Sequence, residues 1–163
     1  MPADARQHLF DLLDDFSIAM LATVSTTGML EARPMAIAKL EKDGPAYFST
    51  DVRSGKVAEI KSRSEVLITF QSSTKFASLS GTAQLVNDRA LIAELWHEDW
   101  RVWFPGGKTD PNLVLLRVDP KAAEYWDNSG SNGVKYLFEG LKAYLQGTRP
   151  ETDGGQNAKV RFG

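Results

Sequence analysis

The segment YFSTDVRSGKVAEI, residues 47–60, places two cations at the start of a predicted helix. It begins with the pattern of a strand, and Ser54 is positioned to cap the helix that follows, with Arg53 and Lys56 on either side. Positive side chains are disfavoured there, because a helix N-terminus already carries partial positive charge. Two interpretations are open: an ordinary serine-capped helix with two solvated cations, or a site that an anion completes.

An anion at this position would meet several suitable donors. Ser49 and Thr50 end the strand, Lys56 lies in the first helical turn, and Gly55 would let a ligand come close to the backbone. Helix-terminal amides, hydroxyl groups and a cation together make a phosphate site. The glycine spacing of a Walker loop is absent. The functional interpretation is therefore a phosphate site of another kind.

The sequence EARPM, residues 31–35, supplies a further cation on a predicted strand. Pro34 lacks the N–H that a sheet interior needs, so it indicates an edge position, a bulge or a local end of pairing. Arg33 beside it could bind a phosphate through the planar fork of donors in its guanidinium. The alternative is a surface arginine on an edge strand.

A series of aromatic residues follows later in the chain. Trp96, Trp100, Trp103 and Phe104 are three or four residues apart, which predicts one helical stripe. An aromatic core or a dimer contact would explain most of them. Trp103 and Phe104 end the helical pattern beside Pro105, where a ring could wall a planar ligand.

The sequence shows no acid–base machinery of its own. It contains no cysteine, which excludes disulfides, thiol catalysis and cysteine-ligated metals. Its two histidines, His8 and His97, are far apart and neighbour no nucleophile motif, so neither a catalytic triad nor a metal site is expected. A phosphate site beside an aromatic wall, without catalytic residues, is typical of a protein that takes its chemistry from a cofactor.

Length and composition predict one globular domain. The chain has 163 residues, 42% hydrophobic and 25% charged, with a formal net charge of −2. This balance disfavours nucleic-acid binding, although a small barrel that stacks single strands on aromatic rings remains an alternative. The amphipathic N-terminus is unlike a signal peptide and no apolar run approaches the ~20 residues of a membrane span, so we expect a cytoplasmic protein.

The elements that position these residues are short strands separated by turns. About six strands are predicted, with a hairpin between EVLITFQSS and FASLSGTAQLV and a last strand interrupted at Pro120. Because strands and helices do not alternate, the fold class is mainly β (α+β), an antiparallel barrel with flanking helices. Residues 1–147 are assigned to one domain that ends in a helix capped by Gly147, and residues 148–163 to a polar tail or partner-bound arm.

Four segments occur in an order that is familiar from one family. They are LATVSTTGMLEARPMAI, YFSTDVRSGKVAEI, SLSGTAQLVND and LWHEDWRVWFPGGKTDPNLVLLRVDPKAAEYWD, and the similarity covers roughly residues 16–127. In this order the chain resembles general stress protein 26-like proteins of the pyridoxamine 5'-phosphate oxidase-like, FMN-binding split-barrel superfamily. The resemblance implies a six-stranded antiparallel split β-barrel and a homodimer that binds FMN in grooves at the dimer interface.

The resemblance also implies which residues hold the flavin ring. Arg33, Pro34 and Met35 match the strand that passes the flavin, with Arg33 reaching the phosphate and the backbone near Met35 facing the ring. Trp103 and Phe104 would approach the ring from the other subunit.

The phosphate end follows from the same resemblance. Ser49 and Thr50 match strand-end positions that contact the cofactor, and Ser54 and Lys56 match the phosphate-binding pair at the helix start.

The resemblance thus implies an FMN-binding flavoprotein, an oxidoreductase with a stress-related role and an unknown small-molecule substrate or electron donor. A flavin-binding or sensing module without turnover is the alternative, and an F420-binding reductase is a more distant one. The C-terminal arginine motif of true pyridoxamine phosphate oxidases is absent, so vitamin B6 oxidation is not expected.

Overall fold

The computed structural model describes residues 3–148 and 157–163. Its strands are β1 (Ile18–Val24), β2 (Leu30–Leu40), β3 (Ala46–Asp51), β4 (Glu65–Gln71), β5 (Lys75–Val86), β6 (Leu113–Asp127) and β7 (Asn157–Arg161). Its helices are α1 (Ala3–Leu13), α2 (Gly55–Ser62), α3 (Arg89–Leu95) and α4 (Gly130–Gln146), with short 3-10 helices at Glu98–Val102 and Gly107–Thr109.

The strands close into a six-stranded antiparallel barrel, which confirms the predicted split-barrel class. The sheet order is β3-β2-β1-β4-β5-β6-β7, and an additional pairing of β3 with β6 completes the ring of β1 to β6. β6 is long enough to serve two partners on one edge. Its residues 113–118 pair with β3, and its residues 122–126 pair with β7.

The end of the chain is part of this sheet. Residues 157–161 form β7, and Val160 is fully buried in the main core. The prediction of a polar tail over residues 148–163 is therefore corrected at its end. The sequence NAKVR carries almost no apolar pattern, and it becomes a strand because the edge of β6 offers unpaired backbone groups. The domain boundary at residue 147 stays a prediction, and residues 149–156 lie outside the described residues.

The open edge of the barrel lies along the first half of β2. This half, residues 30–36, pairs with β1, whereas pairing with β3 begins at Ile37 and shifts register before Lys39. Pro34 thus sits where β2 has a single neighbour, in agreement with the edge position that the missing N–H predicted.

β6 runs through Pro120 instead of being interrupted there. A bulge absorbs the proline, because Ser80 pairs with Ala122 whereas the next residue, Gly81, pairs with Pro120. A Cβ at Gly81 would lie 2.2 Å from the carbonyl oxygen of Asp119, so only glycine fits the close approach of the two strands.

Two hydrophobic clusters hold the fold together. The larger fills the barrel, and α1 closes it with the buried side chains of Leu9, Leu12 and Leu13. The smaller lies outside the barrel and joins the aromatic segment to β3 and β6 through Tyr47, Ile92, Trp100, Phe104, Leu113 and Leu115. In the described ranges, no helix combines the length and the apolar character that crossing a membrane requires.

Candidate functional site

A cleft of about 490 Å³ lies where the open edge of β2 meets β3, α2 and the aromatic segment. Its volume falls within the range of about 300–1,000 Å³ typical of small-molecule sites. Seven of the nine predicted site residues line it, the exceptions being Arg33 and Ser54. The complete lining is Ile18, Pro34, Met35, Ala36, Ser49, Thr50, Asp51, Lys56, Trp100, Trp103 and Phe104.

The polar end of the cleft is organised by Lys56. Its Nζ donates to Thr50 Oγ1 at 3.2 Å and to Ser54 Oγ at 3.1 Å. Ser54 is the N-cap of α2 by position, but its hydroxyl makes no capping hydrogen bond. The hydroxyl oxygen accepts from the Lys56 ammonium instead. The predicted pair of Ser54 and Lys56 is therefore in contact, with Ser54 behind the cleft surface.

The environment of Lys56 disfavours its positive charge. Burial lowers the pKa of Lys56 below the ordinary value, and the nearby guanidinium of Arg33 lowers it further, while Asp51 and Glu59 oppose this shift. A cation that is partly removed from water and faces a like charge gains most from an anionic ligand. Such perturbed groups in clefts are candidates for binding sites.

Arg53 is directed away from a shared anion site. Its Nε and Nη2 donate to the two carboxylate oxygens of Asp51 at 3.0 and 2.7 Å. The hydrogen bonds from Arg53 lower the pKa of Asp51 to about 2. Of the two cations at the helix start, Arg53 is thus half of an exposed ion pair and Lys56 faces the cleft.

Arg33 lies beside the polar end, engaged by groups that the sequence analysis did not name. Its Nη1 donates to Thr23 Oγ1 at 2.5 Å, and its Nη2 lies 3.3 Å from Glu59 Oε2 and 3.6 Å from Glu31 Oε2. The Thr23 hydroxyl also donates to Glu59 Oε2. Glu59 follows Lys56 by three residues on α2, so both lie on one helical face. This spacing is the feature of the sequence that could have identified Glu59 as a neighbour of the site.

The aromatic residues do not form the predicted helical stripe. α3 ends at Leu95, and a separate 3-10 helix begins at Glu98. The break changes the direction of the chain, although Trp96 and Trp100 still meet edge to face at a centroid distance of 5.8 Å. Trp100 and Phe104 are buried in the smaller core, whereas Trp103 is 75% exposed at the rim of the cleft.

Two residues absent from the predictions hold the loop that carries this aromatic wall. The buried carboxylate of Asp110 accepts from the amides of Gly106 at 3.1 Å and Asn112 at 2.9 Å. The guanidinium of Arg89 donates to the carbonyl oxygens of Asp110 at 2.9 Å and Leu113 at 2.7 Å. These bonds join α3 to the start of β6 and thereby position Phe104 and Trp103.

Outside the cleft, His8, Asp127 and Ser129 come together. His8 Nε2 and Asp127 Oδ2 are 2.8 Å apart, and Ser129 Oγ donates to Asp127 Oδ1 at 2.5 Å. Because the carboxylate lies between the other two, this is not a nucleophile–base pair. Among the residues that the structure describes, no group of three or more histidines and carboxylates is arranged to hold a metal ion.

The sequence has clear relatives among characterised chains. The family model described as pyridoxamine 5'-phosphate oxidase like matches residues 4–151. General stress protein 26 of Bacillus subtilis is 30% identical over 124 residues, which are 72% of this chain and 85% of that protein. Protein bli-3 of Neurospora crassa is 37% identical over 112 residues, 62% of this chain but only 54% of the fungal protein, so the match spans about half of its length.

Solved structures share the fold. A protein from Jannaschia sp. CCS1 described as general stress protein 26 superposes with a TM-score of 0.76 at 26% identity, covering 98% of this chain and 99% of that one. The general stress FMN/FAD binding protein from Xanthomonas citri gives a TM-score of 0.67 at 33% identity and covers 78% and 92% of the two chains. The family match over most of the sequence and the common barrel lead to one conclusion: this chain belongs to the pyridoxamine 5'-phosphate oxidase-like family, among its general stress protein 26-like members.

Proposed function

We propose that this protein binds FMN in the cleft beside β2 and uses it as a flavin-dependent oxidoreductase with a stress-related role. The observation that carries the proposal is a single cleft with a cationic, hydroxyl-lined end and an aromatic wall. The names of two relatives support it, since the Xanthomonas protein is described as FMN/FAD binding and the Bacillus protein as a general stress protein.

The polar end suits a terminal phosphate. The ammonium of Lys56 has three N–H donors, and the hydroxyls of Thr50 and Ser54 accept two of them, so one is available to a ligand. Beyond its two chain neighbours and the backbone of its own helix, no described atom lies within 4 Å of a Cβ built on Gly55, so the first turn of α2 is open to an approaching group. FMN ends in a phosphate and riboflavin does not. This end of the cleft would therefore bind FMN more tightly than riboflavin.

The remainder of the lining suits a flat, largely apolar ring. Pro34 and Ala36 on the open edge of β2 would hold one side of it, with Ile18 from β1. Trp103 of the same chain also lines the cleft, whereas the resemblance implied that it approaches from the other subunit. When bound, a flavin supplies transfer of a hydride or of single electrons between a donor and an acceptor. The protein's own part is to anchor the phosphate and to wall the ring.

We also propose a homodimer with the flavin at its interface. The outer surface of β1, β2 and β4 exposes Ile18, Met20, Leu30 and Leu67, with Ile18 58% and Leu30 77% accessible. Met20 pairs with Pro34 in the register of β1 and β2, so this apolar surface continues to the edge of the cleft. Large exposed apolar patches of this kind mark protein interfaces.

A flavin-binding or sensing protein without turnover is the second candidate. It is favoured by the scarcity of titratable groups in the cleft, where the lining contributes only Asp51 and Lys56. Asp51 is already paired with Arg53, and Lys56 with two hydroxyls, so neither is free to act as a general base.

The deciding experiment starts from the absorbance spectrum of the purified protein. The ligand-free protein is then titrated with FMN, FAD and riboflavin. Tighter binding of FMN than of riboflavin is the expected result, and equal, weak binding of the two would refute the phosphate site. Reduction by NADH or NADPH followed by rapid reoxidation by an acceptor would distinguish an oxidoreductase from a binding module, and sedimentation reports the oligomeric state.

A further inference from the structure

Beside the polar end of the cleft, three side chains form a closed network. Arg33 donates to the Thr23 hydroxyl at 2.5 Å and to Glu59 Oε2 at 3.3 Å, and the Thr23 hydroxyl donates to the same carboxylate oxygen. The network is largely shielded from water, since the side chains of Arg33 and Glu59 are 22% and 12% exposed and Thr23 is buried. The position of the Arg33 guanidinium is therefore set chiefly by Glu59 and Thr23, and the more exposed carboxylate of Glu31 lies 3.6 Å from its Nη2.

The negative charge of Glu59 influences both cations near the polar end of the cleft, Arg33 and Lys56. It is ion-paired with Arg33. Its charge favours the protonated form of Lys56, whereas the charge of Arg33 disfavours that form. A guanidinium has five N–H donors, and the bonds to Thr23 and Glu59 leave others for a further acceptor. Arg33 lies beside the cleft lining and not in it, and it has donors left to offer a phosphate oxygen while it remains attached to Glu59.

We propose that Glu59 is a positioning residue that holds Arg33 for the flavin phosphate and, through its negative charge, limits how tightly that phosphate binds. The inference rests on the proposed FMN site. Arg33 and Lys56 together contribute two positive charges, and Glu59, which is less exposed than the nearby carboxylates of Glu31 and Asp51, offsets one of them. Without the negative charge of Glu59, the site would attract an anion more strongly. Without the carboxylate oxygen atoms of Glu59, the guanidinium of Arg33 would lose its orientation.

The two effects are separated by two substitutions of the same residue. Glu59→Gln keeps an oxygen acceptor for Arg33 and removes the charge, so FMN binds roughly five- to tenfold more tightly, as expected for removal of a partly screened like charge. Glu59→Ala removes charge and acceptor together, and the freed guanidinium makes FMN bind about threefold or more weakly than to the unsubstituted protein. Riboflavin, which has no phosphate, binds all three proteins equally.

The experiment titrates the full-length protein and its variants with FMN and with riboflavin at low and high salt. The control is Glu65→Gln, the same change at an exposed position on β4. The advantage of the Gln variant for FMN shrinks at high salt, which a merely structural effect would not cause. A shift of FMN affinity in the same direction for Gln and Ala, or an equal shift for riboflavin, overturns the inference.

A further variant keeps the test decisive if Glu59→Ala does not fold. Glu59→Asp keeps the charge but draws the carboxylate oxygens back from Arg33, so it weakens FMN but not riboflavin; unchanged FMN affinity would refute the positioning role. Failure of the proposed function has a different signature: the unsubstituted protein would then not distinguish FMN from riboflavin. If it does distinguish them and the Glu59 variants behave like it, only the inference about Glu59 fails.

Discussion

The ammonium of Lys56 lies 3.2 Å from the hydroxyl oxygen of Thr50, which joins the first turn of α2 to the buried end of β3. A cation at a helix start is tolerated here because hydroxyl oxygens replace part of its water. The contact also directs the ammonium into the cleft, whereas the neighbouring Arg53 is turned outwards onto Asp51. Lys56 is for this reason the residue on which the proposed phosphate site most directly depends.

Lys56→Met is expected to weaken FMN binding about tenfold to a hundredfold, because a charge-assisted hydrogen bond contributes about 1.5–3 kcal/mol. Riboflavin binding should change little, since it lacks the phosphate. Fluorescence titration measures both affinities. Lys61→Met, an exposed lysine in the last turn of the same helix, is the control. Equal losses for FMN and riboflavin would contradict the assignment of Lys56 to the phosphate.

The lowered pKa of Lys56 predicts a pH dependence of both stability and binding. In the ligand-free fold this pKa lies below 10.5, chiefly through burial and then through Arg33. Between the folded and unfolded pKa values the unfolded chain binds more protons, so the free energy of unfolding rises with pH in that window. FMN binding has the opposite trend, because the phosphate needs the protonated amine and affinity falls as pH rises through the lowered pKa. Titrations from neutral pH to about pH 10.5 measure this fall, and its persistence in Lys56→Met would show that another group causes it.

Gly81→Ala tests the bulge that lets β6 pass Pro120. The new Cβ would lie 2.2 Å from the backbone oxygen of Asp119, so the strands must separate and the free energy of unfolding should fall by about 1–3 kcal/mol or more. Gly55→Ala is the control, because the space around Gly55 is open and the substitution should stabilise the ligand-free protein by about 0.5–1 kcal/mol. Urea denaturation measures both, and an unchanged midpoint for Gly81→Ala would contradict the described register.

Arg89→Met tests the support of the aromatic wall. It removes the hydrogen bonds to the carbonyl oxygens of Asp110 and Leu113, which should cost about 1–2 kcal/mol and weaken flavin binding by displacing Trp103. Arg101→Met is matched to it on the same segment, but Arg101 forms an exposed ion pair with Glu98, so its loss should change stability little. Thermal unfolding and tryptophan fluorescence provide the readouts. The role of Arg89 would be refuted if the two variants behaved alike.

Val160→Ala tests whether β7 belongs to the folded domain. Val160 is fully buried, so loss of its two methyl groups should lower the free energy of unfolding by about 2 kcal/mol. Lys159→Ala changes the exposed neighbour on the same strand and should have little effect. A free tail would give no difference between the two variants in denaturant unfolding.

Local patterns were sufficient to predict most of the elements of the barrel. Alternation of apolar and polar residues identified the hairpin of β4 and β5. Asp88 is of a residue type favoured at helix N-caps, and its carboxylate caps α3 by accepting from the amides of Ala90 and Leu91. Gly147 adopts the left-handed conformation that ends α4. Each of these features depends on residues a few positions apart, whose spacing is visible in the sequence.

Contacts between distant residues were not predictable in the same way. Arg33 and Glu59 are 26 positions apart, and their pairing depends on how α2 packs against β1 and β5. β7 forms because β6 leaves part of its edge unpaired by β3, and the aromatic stripe breaks because the chain turns after Leu95. Residue types and spacing thus marked the candidates for a phosphate site, but the packing of strands and helices determined which cation faces the cleft and which carboxylate accompanies it.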